Sequence, residues 1–185
     1  LFPKPNVLSI GVVVPRDLGG TMKDSVRAFV ERLGLRDAPV DIARGHKIRF
    51  RRGNEPIAND RAVLVGDAAG LADEFTEEGI FYAIESGRIA ARNVLRALSG
   101  EGSLVRYQRD IEREVMPELR AARLVGFMFY GMLRRAPRPW MFASRHAPFL
   151  WSAFFAVQRG ESTYAREAAR VPVLPGLAAR MLRSR

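Results

Sequence analysis

The residues best placed to do chemistry lie in one short stretch. Val63-Leu64-Val65 is an apolar run that ends in Gly66-Asp67-Ala68-Ala69-Gly70, and Thr76-Glu77-Glu78-Gly79-Ile80 soon afterwards opens an amphipathic segment. An apolar strand that delivers Gly-Asp into a small-residue turn places a carboxylate at a sheet edge, where it can accept hydrogen bonds from ligand hydroxyls. Gly66, Ala68, Ala69 and Gly70 would let a ligand approach the backbone closely. The unpaired N–H groups and positive dipole end of the following helix suit an electron-rich ligand oxygen. Each part also has a plain structural reading. Gly-Asp after a strand is often a simple turn, and Thr76 followed by two acids is an ordinary helix N-cap. It is the order of the parts that points to a site.

Other chemistry finds little support. The chain has no Cys, which removes disulfides, thiolate metal ligands and a Cys nucleophile, and which fits a reducing cytoplasm. His46 and His146 are far apart and have no neighbouring carboxylates, so no metal site is expected. Gly45-His46 reads as a turn. Neither Ser86 nor Ser162 sits in a nucleophile elbow.

The elements that must position these residues follow from periodicity. Residues 7–14 read as a β-rich strand ended by Pro15, and residues 20–34 as a helix with Met22, Val26, Phe29, Val30 and Leu33 on one face and Gly34 as its stop. Residues 46–52 alternate like a half-exposed strand, and Ala62 to Val65 form a short apolar one. From Thr76 the pattern turns helical. Ile80, Ala83, Ile84, Gly87, Ala91, Val94, Leu95 and Leu98 make one apolar stripe, with Glu85, Arg88, Arg92 and Arg96 facing away, and Ser99-Gly100-Glu101-Gly102 ends the helix. A second long helix is expected from about Leu104 to Arg135 with a kink at Pro117. Beyond Pro137 and Pro139 a last helical region covers about residues 147–170, before a tail broken by prolines.

Composition bounds the partners. At 185 residues and 48% hydrophobic, the chain can bury a real core. Its net charge of +10, from 30 Lys+Arg against 20 Asp+Glu, is mostly scattered Arg without basic runs, so nucleic acid is not an expected partner. An anionic membrane surface or a phosphorylated ligand accounts for the same charge. Residues 124–133 and 147–157 are aromatic-rich, are flanked by Arg134, Arg135, Arg138, Arg145 and Arg159, and are too short to span a bilayer. They read as buried core, as the wall of an isoprenoid cavity, or as a monotopic membrane contact. The opening Leu1-Phe2-Pro3-Lys4-Pro5 has no basic or apolar signal region, so the sequence reads as starting inside a larger protein.

Gly66-Asp67-Ala68-Ala69-Gly70, with Glu78-Gly79-Ile80 and Ser86-Gly87, resembles the second FAD fingerprint of the hydroxybenzoate-hydroxylase-like flavoproteins, and the Ala-Ala-Gly form resembles the geranylgeranyl reductase branch. Phe2-Pro3 followed by seven residues and Gly11 is similar to that branch's substrate-side Phe-Pro…Gly-x-Gly element, with Val13 at the second glycine. The chain departs from the branch at Glu74, where Pro is usual, and at Glu77, where Gly is usual. The resemblance implies an α/β fold: the C-terminal part of a glutathione-reductase-like, two-domain FAD-binding flavoprotein, followed by a mainly helical region. It implies three segments, with residues 1–60 ending the substrate-side sheet domain, 61–100 supplying the returning strand and helix of the FAD domain, and 101–185 helical. No Gly-x-Gly-x-x-Gly occurs, so the N-terminal Rossmann half that grips the pyrophosphate is absent from these residues, and they are expected not to retain FAD or be active alone.

By the same resemblance Gly66, Asp67, Ala68, Ala69, Gly70, Glu78, Gly79 and Ile80 would bind FAD, with Asp67 on a ribityl hydroxyl and the helix start facing the pyrimidine end of the ring. Phe2, Pro3 and Gly11 would lie on the substrate side. The implied activity is FAD-dependent reduction of C=C bonds in an isoprenoid or similar lipid, with NAD(P)H as a candidate electron donor. The catalytic residues are not assigned, because the flavin carries the chemistry and no side chain need act as acid or base. The alternatives are a flavin monooxygenase or halogenase of the same fold, or a non-catalytic basic module that binds a membrane or partner. The expected location is the cytoplasm, with membrane association as a further expectation.

Overall fold

The computed structural model describes residues 1–14, 20–41 and 43–170. Pro15, expected to end the first strand, and the proline-broken tail beyond residue 170 lie outside them. The chain divides into two compact units, Leu1–His46 and Lys47–Arg185. The division thus falls earlier than the residue-60 boundary expected from sequence.

In the first unit, β1 (Phe2–Pro3) pairs antiparallel with β2 (Leu8–Ser9), Phe2 opposite Ser9 and Pro3 opposite Leu8. Lys4 N–H donates to Val7 O at 2.9 Å and closes the turn. The β-rich run 7–14 pairs only through Leu8–Ser9, because no further strand among the described residues offers it a ladder. Helix α1 spans Met22–Arg32, close to the predicted 20–34, and Gly34 follows it in the left-handed conformation at φ 72°.

The second unit is helical: α2 Ile80–Leu98, α3 Arg106–Glu114, α4 Met116–Arg135, α5 Pro137–Arg145, α6 Pro148–Gln158 and α7 Tyr164–Ala169. Its core gathers Ile57, Leu71, Tyr82, Ile89, Tyr107, Ile111, Val115 and Met116, so segments 61–100 and 101–185 share one apolar cluster. The strands expected at 46–52 and 62–65 are reduced to single bridges, Phe50 with Leu71 and Ala58 with Val63. A strand exists only through its partners, and among the described residues of this unit there is no third extended segment to complete a sheet.

Two expectations for the helices need correction. The long second helix is broken, not merely kinked. Val115, at φ −112° and ψ −47°, separates α3 from α4, and Pro117 sits in the first turn of α4, where its missing N–H costs nothing. Helix also begins earlier than the expected 147, over residues 137–145, since Pro137 is the first residue of α5 and Pro139 also falls within its first turn.

The apolar stripe of α2 is present but faces outward. Ile80, Ile84, Leu95 and Leu98 are each more than two thirds exposed. The buried face carries Tyr82, Ser86, Ile89, Ala90 and Asn93. On that face Asn93 Nδ2 donates to Asp110 Oδ2 at 2.9 Å and to Ile89 O at 3.0 Å, while its buried Oδ1 has no partner among the described residues. Asp110 also accepts from Arg113 at 3.0 Å. These pairings offset part of the desolvation cost of burying a polar-containing face.

Candidate functional site

The apolar run 62–65 and the Ile57 segment beside it are held by individual hydrogen bonds and a single bridge rather than by a sheet. Leu64 N–H donates to Ile57 O at 2.8 Å. Gln108 Oε1 accepts from Ile57 N–H at 3.2 Å. The phenol of Tyr107, wholly buried, donates to Leu64 O at 2.9 Å, and burial pushes its pKa up to about 12. These fix the point at which the chain enters the turn Gly66–Ala69, a single 3-10 turn that ends at left-handed Gly70 (φ 70°).

Gly66 needs to be glycine for two reasons. Its φ is +51°, and a Cβ there would lie 2.9 Å from Ala83 Cβ on α2. Its N–H donates to Ser86 Oγ at 2.9 Å, and that hydroxyl in turn donates to Ala83 O at 3.1 Å. The Ser86-Gly87 pair of the fingerprint therefore pins the turn to the helix. Gly66, Ala69 and Gly70 are buried, and their small size serves packing inside the protein. Asp67 and Ala68 are the two residues of the turn that reach solvent.

Asp67 and the start of α2 are brought together. A Cβ added at Gly79 would stand 2.8 Å from Asp67 Oδ1, so the carboxylate lies over the glycine that caps the helix. Any larger residue at 79 would displace it. Glu78 Oε1 accepts from Phe81 N–H at 2.9 Å and satisfies one of the orphan donors of the first turn. The result is an exposed carboxylate with no hydrogen-bond donor among the described residues, beside N–H groups at the positive end of a helix of 19 residues. The sequence-predicted residues Gly66, Asp67, Ala68, Ala69, Gly70, Glu78, Gly79 and Ile80 thus converge on one locus. Phe2 and Pro3 lie in the exposed hairpin of the first unit, and Gly11 in an open segment with no atom within 4 Å of a Cβ built there.

Thr76 does not cap α2. The helix begins at Ile80, and between the two stands Glu77 at φ 62°, a left-handed residue that helical geometry cannot include. Thr76 instead serves Asp73, which sequence reasoning missed. Asp73 is buried, and its Oδ1 accepts from Phe75 N–H at 2.6 Å and Thr76 N–H at 3.3 Å. Its Oδ2 accepts from Thr76 Oγ1 at 2.8 Å. The backbone of Asp73 also receives Glu77 N–H and donates to Glu78 O, each at 2.8 Å. One carboxylate therefore shapes the link between the Asp67 turn and α2. An Asp side chain readily accepts from the backbone N–H two residues on, and Asp73 ahead of Phe75 was the available signal.

The link is clamped from the other side. Phe75 packs at ring-centroid distances of 5.3 to 6.1 Å against Phe129, Tyr130, Phe154 and Tyr164. Tyr130 donates its hydroxyl to Phe75 O at 2.9 Å. Burial, then the nearby charge of Asp73, raises the pKa of Tyr164. Among the described residues no group of three or more His, Cys, Asp or Glu could hold a metal ion.

Glu77 invites a direct test. A non-glycine residue in the left-handed region costs roughly 1–2 kcal/mol, part of which glycine's looser unfolded chain gives back. Glu77→Gly should therefore raise stability by about 0.5–1 kcal/mol, and Glu77→Val should lower it, in thermal unfolding. Partial burial raises the Glu77 pKa above the usual 4.5. Its contribution to stability is thus greatest below that value and is lost as pH rises through the raised one, so the gain from glycine should shrink in acid.

Known proteins resemble this chain in part. The chain is 33% identical to an uncharacterized protein of Methanosarcina barkeri over 72% of its own length and 34% of the relative's. It is 28% identical to the chloroplastic geranylgeranyl diphosphate reductase of Arabidopsis thaliana over 70% of this chain and 29% of that protein. The rice protein of the same name is 32% identical over 38% of this chain and 16% of its own length. No family model and no solved structure matches the chain. The chain spans about a third of the length of the first two of these relatives. Its similarity to geranylgeranyl diphosphate reductases is therefore distant and partial.

Proposed function

We propose that this chain is part of an FAD-dependent oxidoreductase that reduces C=C bonds of an isoprenoid or similar lipid. The observation that carries the reading is the placement of the exposed Asp67 carboxylate over Gly79 at the start of α2. The residues fit the ribityl and ring side of a flavin. Asp67 has acceptor capacity to spare for a hydroxyl, and the absence of a side chain at Gly79 and of a bulky one at Ala68 leaves the approach open. The helix start offers N–H donors to the ring's carbonyl end. Flavin, when bound, supplies the electron transfer. The chain's residues bind and orient: Ser86 and Tyr107 fix the turn, Asp73 fixes the link, and Gly79 allows Asp67 to stand where it does.

The glutathione-reductase-like architecture belongs to the same proposal. Supporting it, the apolar edge formed by Leu64, Val65, Ile80, Ile84 and Leu95 is exposed in this chain, as a face that packs under a further layer would be. Phe2, Pro3 and Gly11 are assigned to the substrate side, and NAD(P)H to the role of electron donor, by the resemblance of the Phe-Pro and Gly-Asp-Ala-Ala-Gly motifs to the geranylgeranyl reductase branch.

The test is made on the polypeptide that carries this sequence. It should take up FAD with the visible absorption of oxidised flavin. With a reductant it should convert geranylgeranyl diphosphate to products gaining two hydrogens per double bond, read by mass spectrometry. Products carrying oxygen or halogen would move the reading to a monooxygenase or halogenase. A polypeptide that takes up no flavin at saturating FAD would overturn it.

A further inference from the structure

Residues 119–160 contain seven arginines and no Asp or Glu. Arg120 is paired with Glu112, Arg123 lies 3.9 Å from Glu74, and Arg159 is paired with Glu161. Among the described residues Arg134, Arg135, Arg138 and Arg145 have no carboxylate partner. The same stretch carries α6, Pro-Phe-Leu-Trp-Ser-Ala-Phe-Phe-Ala-Val-Gln, whose only polar side chains apart from the indole N–H are Ser152 and Gln158. A helix apolar on all sides is normally enclosed. None of the residues of α6 is buried, and Phe149 is 64% and Phe155 51% exposed. On α5, Met141 and Phe142 are similarly exposed.

We propose that α5, α6 and the C-terminal half of α4 form a monotopic docking face for a bilayer rich in anionic phospholipid. The occupant is identified by the pairing of features. Large apolar side chains enter the acyl boundary, and unpartnered arginines on the same short run of chain meet headgroup phosphates. A soluble apolar partner would account for the phenylalanines but not for a stretch of this length without one carboxylate. The helix is too short to cross: α6 has 11 residues, and no described helix is long and apolar enough to span a membrane. A cavity of about 740 Å³ has room for a headgroup, and Arg52, Arg123, Phe127, Tyr130, Arg134 and Arg135 line it. Glu74, its one acid, is engaged by Arg52 at 3.0 Å.

The test is flotation of the polypeptide with vesicles of phosphatidylglycerol and phosphatidylcholine, against phosphatidylcholine alone. Binding should require the anionic lipid and weaken as salt rises. Arg134→Glu with Arg138→Glu, and separately Phe149→Ser with Phe155→Ser, should each lower the bound fraction by about tenfold or more. Because all four side chains are exposed, thermal unfolding should be unchanged. Flavin uptake should also be unchanged, so failure here is separable from failure of the proposed activity. Absence of flotation with anionic vesicles at low salt would overturn the proposal. So would vesicle-independent self-association lost in the Phe149/Phe155 variant, which would assign the face to a second copy of the chain.

Discussion

Asp73→Ala should destabilise the protein by about 2–4 kcal/mol, because three hydrogen bonds to a buried carboxylate disappear together and leave their donors unmatched. For a chain of this size that corresponds to a fall in melting temperature of roughly 5–15 °C. Asp73→Asn should cost about half as much, since the amide oxygen can still accept from Phe75 N–H while the NH₂ group cannot replace the second acceptor. Two-probe unfolding separates local from global effects. Phe75 is anchored independently by four aromatic rings, so the aromatic signal should be lost with the helix signal, not before it. A loss below about 0.5 kcal/mol, the level of an ordinary surface change, would mean that the aromatic clamp alone holds the link.

Asp73 is hard to read from sequence because its neighbours disguise it. Glu74, Thr76, Glu77 and Glu78 are all polar, and a run of acids before an apolar stripe reads as a helix start. In the structure each does something different. Asp73 binds the turn, Thr76 donates to it, Glu77 takes the left-handed step, and Glu78 caps Phe81. Period-based reasoning found α2 because nineteen helical residues carry a strong pattern, and glycine chemistry found its end at Gly100, φ 77°. It placed the start four residues too early because polar identity does not reveal backbone handedness.

The direction of α2 was beyond the pattern for a different reason. Periodicity says which residues share a face, not which face the rest of the chain covers. Here the polar-containing face is buried through Ser86 with Gly66 and Asn93 with Asp110, long-range pairings that no local window contains. The two apolar runs were likewise legible as segments, but their exposure was not. Buried core was one of the readings left open for them, and the structure leaves Phe127, Phe149 and Phe155 all more than half exposed. By contrast, the Asp67 locus was legible because its parts are close in sequence and each is chosen by a local rule.

That locus yields the second large expected effect. Asp67→Ala should weaken FAD binding by roughly 1.5–3 kcal/mol, the range for hydrogen bonds to a charged group, or about 10- to 150-fold in dissociation constant. The competing account makes Asp67 a turn-stabilising residue whose removal costs fold stability and spares the cofactor. The structure separates the two. The Asp67 side chain accepts no hydrogen bond from the described residues, and the turn is closed by backbone, Gly70 N–H to Asp67 O at 3.0 Å and Leu71 N–H to Gly66 O at 3.1 Å. Alanine preserves both. The loss to the free protein should be limited to the attraction between the carboxylate and the start of α2, about 0.3–1 kcal/mol at an exposed site. Gly79→Ala provides the complement: its Cβ would collide with Asp67 Oδ1, so it should move the carboxylate and lower FAD affinity with Asp67 still present. Fluorescence titration with FAD and thermal unfolding of the flavin-free form decide the matter, run on the polypeptide that carries this sequence and on both variants of it. Lower affinity with near-constant stability assigns Asp67 to the cofactor; unchanged affinity with lost stability would return it to the turn and remove the observation on which the proposed function stands.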